Sequence, residues 1–496
     1  LKKILQIFTV LLLTIGISSV ASAGSDNTSK NDQTNSYEDQ LIISVELEDS
    51  IEKSPAGVMD SNNNLANQGF QIVDSLMDND ANALQADENK QLREEIVKNM
   101  GWVYLVEYNT AEYNSFEEAK AALDKALADE GLKVRHISQN EEVHATDAEV
   151  MNDTAADLHP SQEWHYEMVN APEAWEITNG SSDVRIAVLD TGIDANHQNL
   201  SNFVNTNLGA NFVGGNSTMD RQGHGTHVAG TVASYGSVSG VMQEATLIPV
   251  KVLGDDGSGS IFGIIEGVLH AVSVDADVIN MSLGGGGYNQ SFDDAVQTAV
   301  SSGTIVVAAS GNEYRSTISY PAAYESVIAV GSVTSNKTRS SFSNYGDGLD
   351  LMAPGSNIYS TVPNNGYSTL SGTSMASPHV AGVAGLLRAA NPDATATEVR
   401  EAMNQTAESA GSSFEYGNGI VDAYAAIQYI NDNDGGDGGD GGDGGDEPQA
   451  PEWQPYTYYS AGDEVTYNGE VYVCTRAHLS FPGWTPPNDP WYWSVK

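Results

Sequence analysis

Three polar residues suited to acyl transfer occur in one region of this chain, each where a backbone element should present it. Asp190 closes the apolar run VRIAVLD, His224 lies in GHGTHVAG, and Ser374 lies in SGTSMASPHVAG. A serine hydroxyl is a weak nucleophile until a base stands within hydrogen-bond reach, and an imidazole base needs a carboxylate to orient it. A fourth residue, Asn312, follows TIVVAASG. Its side-chain amide and the Ser374 backbone N–H would give two donors to a developing oxyanion. Taken singly, Asp190 reads as a turn or cap, Ser374 as a cap and Asn312 as a turn residue after glycine. Taken together in the order Asp, His, Ser, they read as a catalytic set, in an order unlike that of α/β-hydrolases or chymotrypsin.

The elements that must hold them are legible as a pattern. From about residue 160 to 430, apolar runs rich in Val and Ile alternate with helical stretches: VRIAVLD, TLIPVKVL, DVINMSL, TIVVAAS and VIAVGSV, against GIIEGVLHAV, SFDDAVQTAV and VREAMNQTA. This predicts an α/β domain with a mostly parallel sheet flanked by helices, its strands covered on both faces. Such sheets carry their sites at the carboxyl ends of the strands, where Asp190 falls. Gly223 and Gly225 leave His224 uncrowded at a helix start. Gly372, Thr373, Ala376 and Ser377 do the same for Ser374, with Pro378 just inside the next element.

The segments VLDTGID, GHGTHVAG, AASGN and GTSMASPHVAG resemble the signature segments of subtilisin-type serine proteases. The resemblance implies that Ser374 attacks a peptide carbonyl, His224 transfers the proton, Asp190 orients the imidazole and Asn312 binds the oxyanion. It also implies that Ser282, Leu283 and Gly284 in NMSLGGGG pair with an extended peptide, and that Glu313 sits at the rim of the pocket before the scissile bond. Protein substrates, an inhibitory propeptide and a monomeric enzyme are expected. Structural calcium is implied too, yet ASYGSVSGVMQ is short for the usual ion loop and Asn199 stands where an aspartate ligand is usual. Gln162 and Asp350 match other ligand positions, which leaves a weaker ion site as the alternative.

Lys2, Lys3, the apolar run Ile4–Ile17 and Ala21-Ser22-Ala23 read as a signal peptide over residues 1–23. The run falls short of the roughly 20 residues of a spanning helix, so a secreted, extracellular product is expected. Residues 24–158 read as a propeptide, with a small α+β strand–helix–strand unit over about 101–145 and Ser115 as the cap of its helix. The peptidase-like domain is placed at 159–430 and a Gly/Asp linker at 431–450. The last segment, 451–496, is a small all-β module. Its YNGEVYVC, HLSFPGWTP and terminal Trp pair resemble chitin-binding carbohydrate modules. Trp484, Trp491 and Trp493 are the candidates for stacking on sugar rings. Cys474, the chain's one cysteine, reads as a small buried apolar residue.

Lys and Arg total 21 against 67 Asp and Glu, a formal charge of −46. That balance argues against a nucleic-acid partner and suits a surface kept soluble in salt. With one cysteine no internal disulfide forms, so stability must come from the core or bound ions. Two other readings are carried: a polysaccharide-binding protein with an inactive peptidase domain, and a glycoside hydrolase. The second needs paired carboxylates in a sugar cleft.

Overall fold

The computed structural model describes residues 37, 39–46, 65–76, 89–129, 132–145 and 159–433, then 453–454, 458–459, 464–475, 478–480, 485–487 and 492–496. The leader-like segment, residues 146–158 and the run beyond Asn433 as far as 452 lie outside these. In the amino-terminal unit, strands β1 (Gln40–Glu46), β2 (Phe70–Ser75), β3 (Trp102–Tyr108) and β4 (Lys133–Gln139) form an antiparallel sheet in the order β2-β3-β1-β4. Helices α1 (Lys90–Met100) and α2 (Phe116–Asp129) accompany it, and the Ser115 hydroxyl accepts from Glu118 N at 3.3 Å as the cap of α2. The unit therefore begins well before residue 101. Its inner strands are β3 and β1, and Leu41, Ile42 and Ile43 of β1 are fully buried.

Strand β5 (Glu142–Ala145) leaves this unit and belongs to a different sheet. Helices α3 (Pro160–Met168) and α4 (Ala171–Trp175) then lead into the large domain. There, β6 (Gly180–Asp190), β7 (Ala210–Asn211), β8 (Glu244–Lys251), β10 (Val278–Met281), β12 (Ile305–Ala309), β13 (Ile328–Val333) and β14 (Leu351–Pro354) form an all-parallel sheet. Its order is β14-β13-β12-β10-β6-β8-β7. Every residue of β10, β12, β13 and β14 is buried, as a sheet covered on both faces requires.

Short strands β9 (Ser258–Ser260) and β11 (Leu283–Gly284) stand outside that sheet, as does the hairpin β15 (Ile358–Val362) and β16 (Gly366–Leu370). The covering helices are α5 (His224–Val232), α6 (Ile261–Ser273), α7 (Gln290–Ser301) and α8 (Thr373–Ala390), followed by α9 (Ala396–Thr406), α10 (Ser413–Tyr416) and α11 (Ala423–Asn433). Ser260 caps α6 and Asn289 caps α7, while Thr395 and Glu398 close a capping box on α9.

In the carboxy-terminal module, β18 (Glu464–Tyr467), β19 (Glu470–Cys474) and β21 (Trp493–Val495) form one antiparallel sheet, and β17 (Tyr458–Tyr459) pairs with β20 (His478–Leu479). Trp453, Tyr459, Val465, Tyr472, Cys474 and Trp493 make its core. This corrects one expectation. Trp493 is 2% exposed and meets Tyr459 edge-on at 4.9 Å, so a domain this small spends it on its own packing. Trp484 and Trp491 lie outside the described residues.

The large domain buries several imidazoles. His379 Nε2 and His165 Nδ1 are 2.9 Å apart, and His227 Nε2 lies 3.0 Å from the Ile358 carbonyl. Burial lowers the proton affinity of His165, and lowers His379 to about 4 and His227 to about 3. Burial also lowers His197 and His270. Asp294, raised to about 6 by burial, and Asp220, Glu325 and Asp74, also raised by burial, act with the opposite sign but are outnumbered once His136, lowered by burial to about 4, is added. The unfolded chain thus takes up protons that the folded chain refuses. Stability should be full above about pH 6.5, the ordinary histidine value, and decline as pH falls towards 4. Thermal midpoints of a Ser374→Ala chain, which lacks the expected nucleophile, should show that plateau and decline. A midpoint unchanged down to pH 5 would contradict it.

Candidate active site

Asp190 is the last residue of β6 and His224 the first of α5. His224 Nδ1 lies 2.8 Å from Asp190 Oδ1 and 2.9 Å from Oδ2, with both side chains buried. A Cβ on Gly225 would overlap the Gly192 carbonyl oxygen and crowd Asp190, so only glycine lets α5 begin this close to the end of β6. The turn before His224 is organised by Asp220, which the sequence pattern had not singled out. Its carboxylate accepts from the Thr191 hydroxyl and from the backbone of Gln222, Gly223 and Thr226. Thr191 in turn donates its N–H to Asp190 Oδ1 at 2.7 Å and accepts from Gly225 N at 2.9 Å. The only available signal was an aspartate four residues before a histidine flanked by glycines.

Ser374 is the second residue of α8, which packs against α5. Its hydroxyl donates to the Ser282 carbonyl at 3.0 Å, and the Ser282 hydroxyl donates to the Ser374 carbonyl at 2.8 Å. Pro378 explains why that carbonyl is free to accept. A helix would bond it to the N–H four residues on, and proline has none. The Ser282 hydroxyl also accepts from Asn280 Nδ2 at 3.0 Å, and Asn280 Oδ1 accepts from the Ser377 hydroxyl at 2.8 Å. Ser374 is thus clamped through a buried polar chain running from β10 to α8.

Asn312 follows β12 and is oriented by the residue before Ser374. Its Oδ1 accepts from both the N–H and the hydroxyl of Thr373, each at 2.9 Å. That fixes Nδ2 on the other side, where it is buried and has no hydrogen-bond partner among the described residues. A buried amide N–H gains most from an acceptor placed beside it, so Nδ2 is set to donate to one.

Leu283 and Gly284 form β11, and they are already paired. Strand β5 lies between β11 and β9, with Ala145 opposite Leu283, His144 opposite Gly284 and Val143 opposite Gly259. Val143 is fully buried and Ala145 nearly so, while Glu142 and His144 face outward. Asn140 Oδ1 accepts from Phe262 N at 3.0 Å, and Glu141 Oε2 accepts from Gly287 N at 2.7 Å. Glu313 is exposed, and Asn344 Nδ2 donates to its carboxylate at 2.7 Å.

The residues expected to bind an ion do not fit one. Asp350 takes a bidentate bond from Arg400 (2.8 and 2.9 Å) and another from Ala329 N, which occupy the oxygens a cation would need. Gln162 and Asn199 are likewise engaged by neighbouring protein groups. Among the described residues no group of three or more His, Cys, Asp or Glu is placed to hold a metal.

A carboxylate, an imidazole and a serine gathered at one sheet edge beside a groove that takes an extended strand define a serine peptidase fold. Comparison with known proteins agrees. The subtilase family profile matches residues 181–419, and that of carbohydrate-binding module family 5/12 matches residues 452–494. The chain is 48% identical over 255 residues to Subtilisin DY of Bacillus licheniformis, covering 50% of this chain and 92% of that protein. It is 46% identical over 269 residues to Subtilisin Savinase of Lederbergia lenta, covering 53% and 98%. The chain belongs to the subtilase family: its large domain is a subtilisin-like serine endopeptidase, joined in one polypeptide to a carbohydrate-binding module.

The Asp220 network yields a prediction. Replacing one acceptor oxygen by NH₂ in Asp220→Asn sets a donor against backbone N–H groups that need an acceptor. Loosening the turn ahead of His224 should lower kcat/KM on a peptide substrate about 10–100-fold, the scale of a misplaced catalytic group. Unchanged kinetics would show that Asp220 does not position the site.

Proposed function

We propose that Ser374 is the nucleophile of this endopeptidase, His224 its general base and acid, Asp190 the partner that orients His224, and Asn312 the oxyanion donor. The observation that carries this reading is β5, a peptide seated between β9 and β11 as a substrate would be. An incoming chain pairs there with Leu283 and Gly284 beside Ser282. Ser374 Oγ attacks the scissile carbonyl while its proton passes to His224, and Asp190 holds the imidazole through Nδ1. Asn312 Nδ2 meets the oxyanion, His224 protonates the leaving amine, and water then cleaves the acyl-enzyme. Ser374→Ala should abolish casein hydrolysis. Asn312→Ala should lower kcat by ~10²–10³, the size found for subtilisin itself, with KM little changed.

The same strand supports a propeptide that inhibits its own enzyme. We infer a preproenzyme whose leader, residues 1–23, directs secretion. Cleavage somewhere near residues 145–162 would then separate the amino-terminal unit from the large domain. Sequencing the secreted product should find a new amino terminus in that interval for the wild type and none for Ser374→Ala. Identical processing of both would assign maturation to another protease. Glu313, at the rim of the pocket before the scissile bond, favours a basic side chain there. An excess of carboxylates suits an enzyme working in salt as a monomer.

Residues 451–496 would anchor the enzyme on chitin or a related insoluble polysaccharide through Trp484 and Trp491. In that reading Trp484→Ala reduces retention on chitin and leaves casein hydrolysis intact. Release of sugars from chitin would instead favour a glycoside hydrolase.

A further inference from the structure

The family to which this chain belongs generally binds calcium, and the residues that the resemblance assigned to an ion are occupied here in an instructive way. Gln162, on α3, is fully buried. Its Nε2 donates to the Ser239 carbonyl at 3.0 Å and the Tyr359 carbonyl at 3.1 Å, and its Oε1 accepts from Ser239 N at 3.1 Å. The Tyr166 hydroxyl, one turn along α3, donates to the same Ser239 carbonyl. At the other end of the loop, Asn199 Nδ2 donates to the Tyr235 carbonyl at 3.0 Å, and Asn199 Oδ1 accepts from the Tyr367 hydroxyl. Gly236 has φ +133°, and a Cβ there would overlap Asn199 Nδ2.

We propose that the loop Tyr235–Ser239 is a metal-free clasp, in which the Gln162 and Asn199 carboxamides do the fastening that an ion would otherwise do between α3, the loop and the β15–β16 hairpin. Calcium asks for six to eight oxygens around one point, with carboxylates to offset its charge. In the clasp, N–H and O–H hydrogens point at the loop carbonyls, and neither Gln162 nor Asn199 carries a charge. The amides cannot turn round to offer oxygen. A reversed Gln162 would set NH₂ against Ser239 N–H, and a reversed Asn199 would set oxygen against the Tyr235 carbonyl. A cation would have to displace these bonds without compensation for its lost hydration.

The test is hydrogen exchange on the full Ser374→Ala chain in excess EDTA and in millimolar calcium, read at residues 160–168 and 234–241. Protection in both segments should be the same in the two conditions. Gln162→Ala should lower it about tenfold or more, equally in both, because Ser239 N–H loses its buried acceptor. Tyr367→Phe, which removes one hydroxyl and spares the packing, gives a smaller loss of the same kind if Gln162→Ala fails to fold. Calcium-dependent protection of these segments that disappears in Asn199→Ala would overturn the proposal. A calcium-dependent rise in overall melting temperature with unchanged protection here would place the ion elsewhere and uphold it.

Discussion

A carboxylate taken out of water must be answered by a donor, and Asp190 is answered by His224 and by the backbone of Thr191. Much of the surrounding architecture follows from keeping that pair together. Strand β6, flanked by β8 and β10, carries Asp190 to the carboxyl edge of the sheet. Gly225 lets α5 start against it, and Asp220 holds the intervening turn while spanning Thr191, Gly223 and Thr226. Helix α8 then contributes Ser374, and its proline leaves a carbonyl for Ser282 to grip. The parallel sheet thus acts as a ruler, on which shifting β6 by a residue would turn the Asp190 side chain to the opposite face.

Neutral side-chain amides do much of the fixing in and around this site. Asn280 braces Ser282, Asn312 is aimed by Thr373, Asn344 joins Ser310, Glu313 and Ser319, and Gln162 and Asn199 hold the loop 235–239. With only 21 Lys and Arg against 67 acids, the chain has few cations to spend on pairing. Many of its ion pairs are exposed, as with Lys125–Asp129 and Lys337–Glu408, and so worth little. Arg400–Asp350 is the buried counterexample, and it is bidentate and satisfied from several sides. Amide bonds carry no net charge and are not screened, so this kind of fastening works at any ionic strength.

The sheet was legible, and so were the element ends that carry the four proposed site residues, because their signals are local and redundant. A buried parallel strand is a run of Val and Ile, and Asp190, His224, Asn312 and Ser374 each sit at the end of such a run or the start of a helix. Other features escaped for the opposite reason. The run LIISV of β1 lies among polar residues, and its place at the centre of a sheet depends on β3 and β4, about sixty and ninety residues away. Asp220 organises its own turn, but its tie to the site runs through Thr191, 29 residues back, and Asn280 reaches Ser377, 97 residues on, links that no short window displays. Trp493 misled because an aromatic that stacks on sugar and one that fills a small core look alike in sequence. Only burial separates them.

The position of β5 has a consequence in mass action. While Glu142–Ala145 and the large domain belong to one chain, with fourteen residues between β5 and α3, β5 competes for the groove as an intramolecular occupant, at an effective concentration set by the length of that connection. Cutting that stretch leaves every contact in place but turns an intramolecular occupant into a soluble one. Its hold then depends on how much of it is in the surroundings. On the proposed reading of β5 as an inhibitor, crowded molecules would stay occupied and dilute ones would empty, so the same cut product would be silent where it accumulates and active once dispersed.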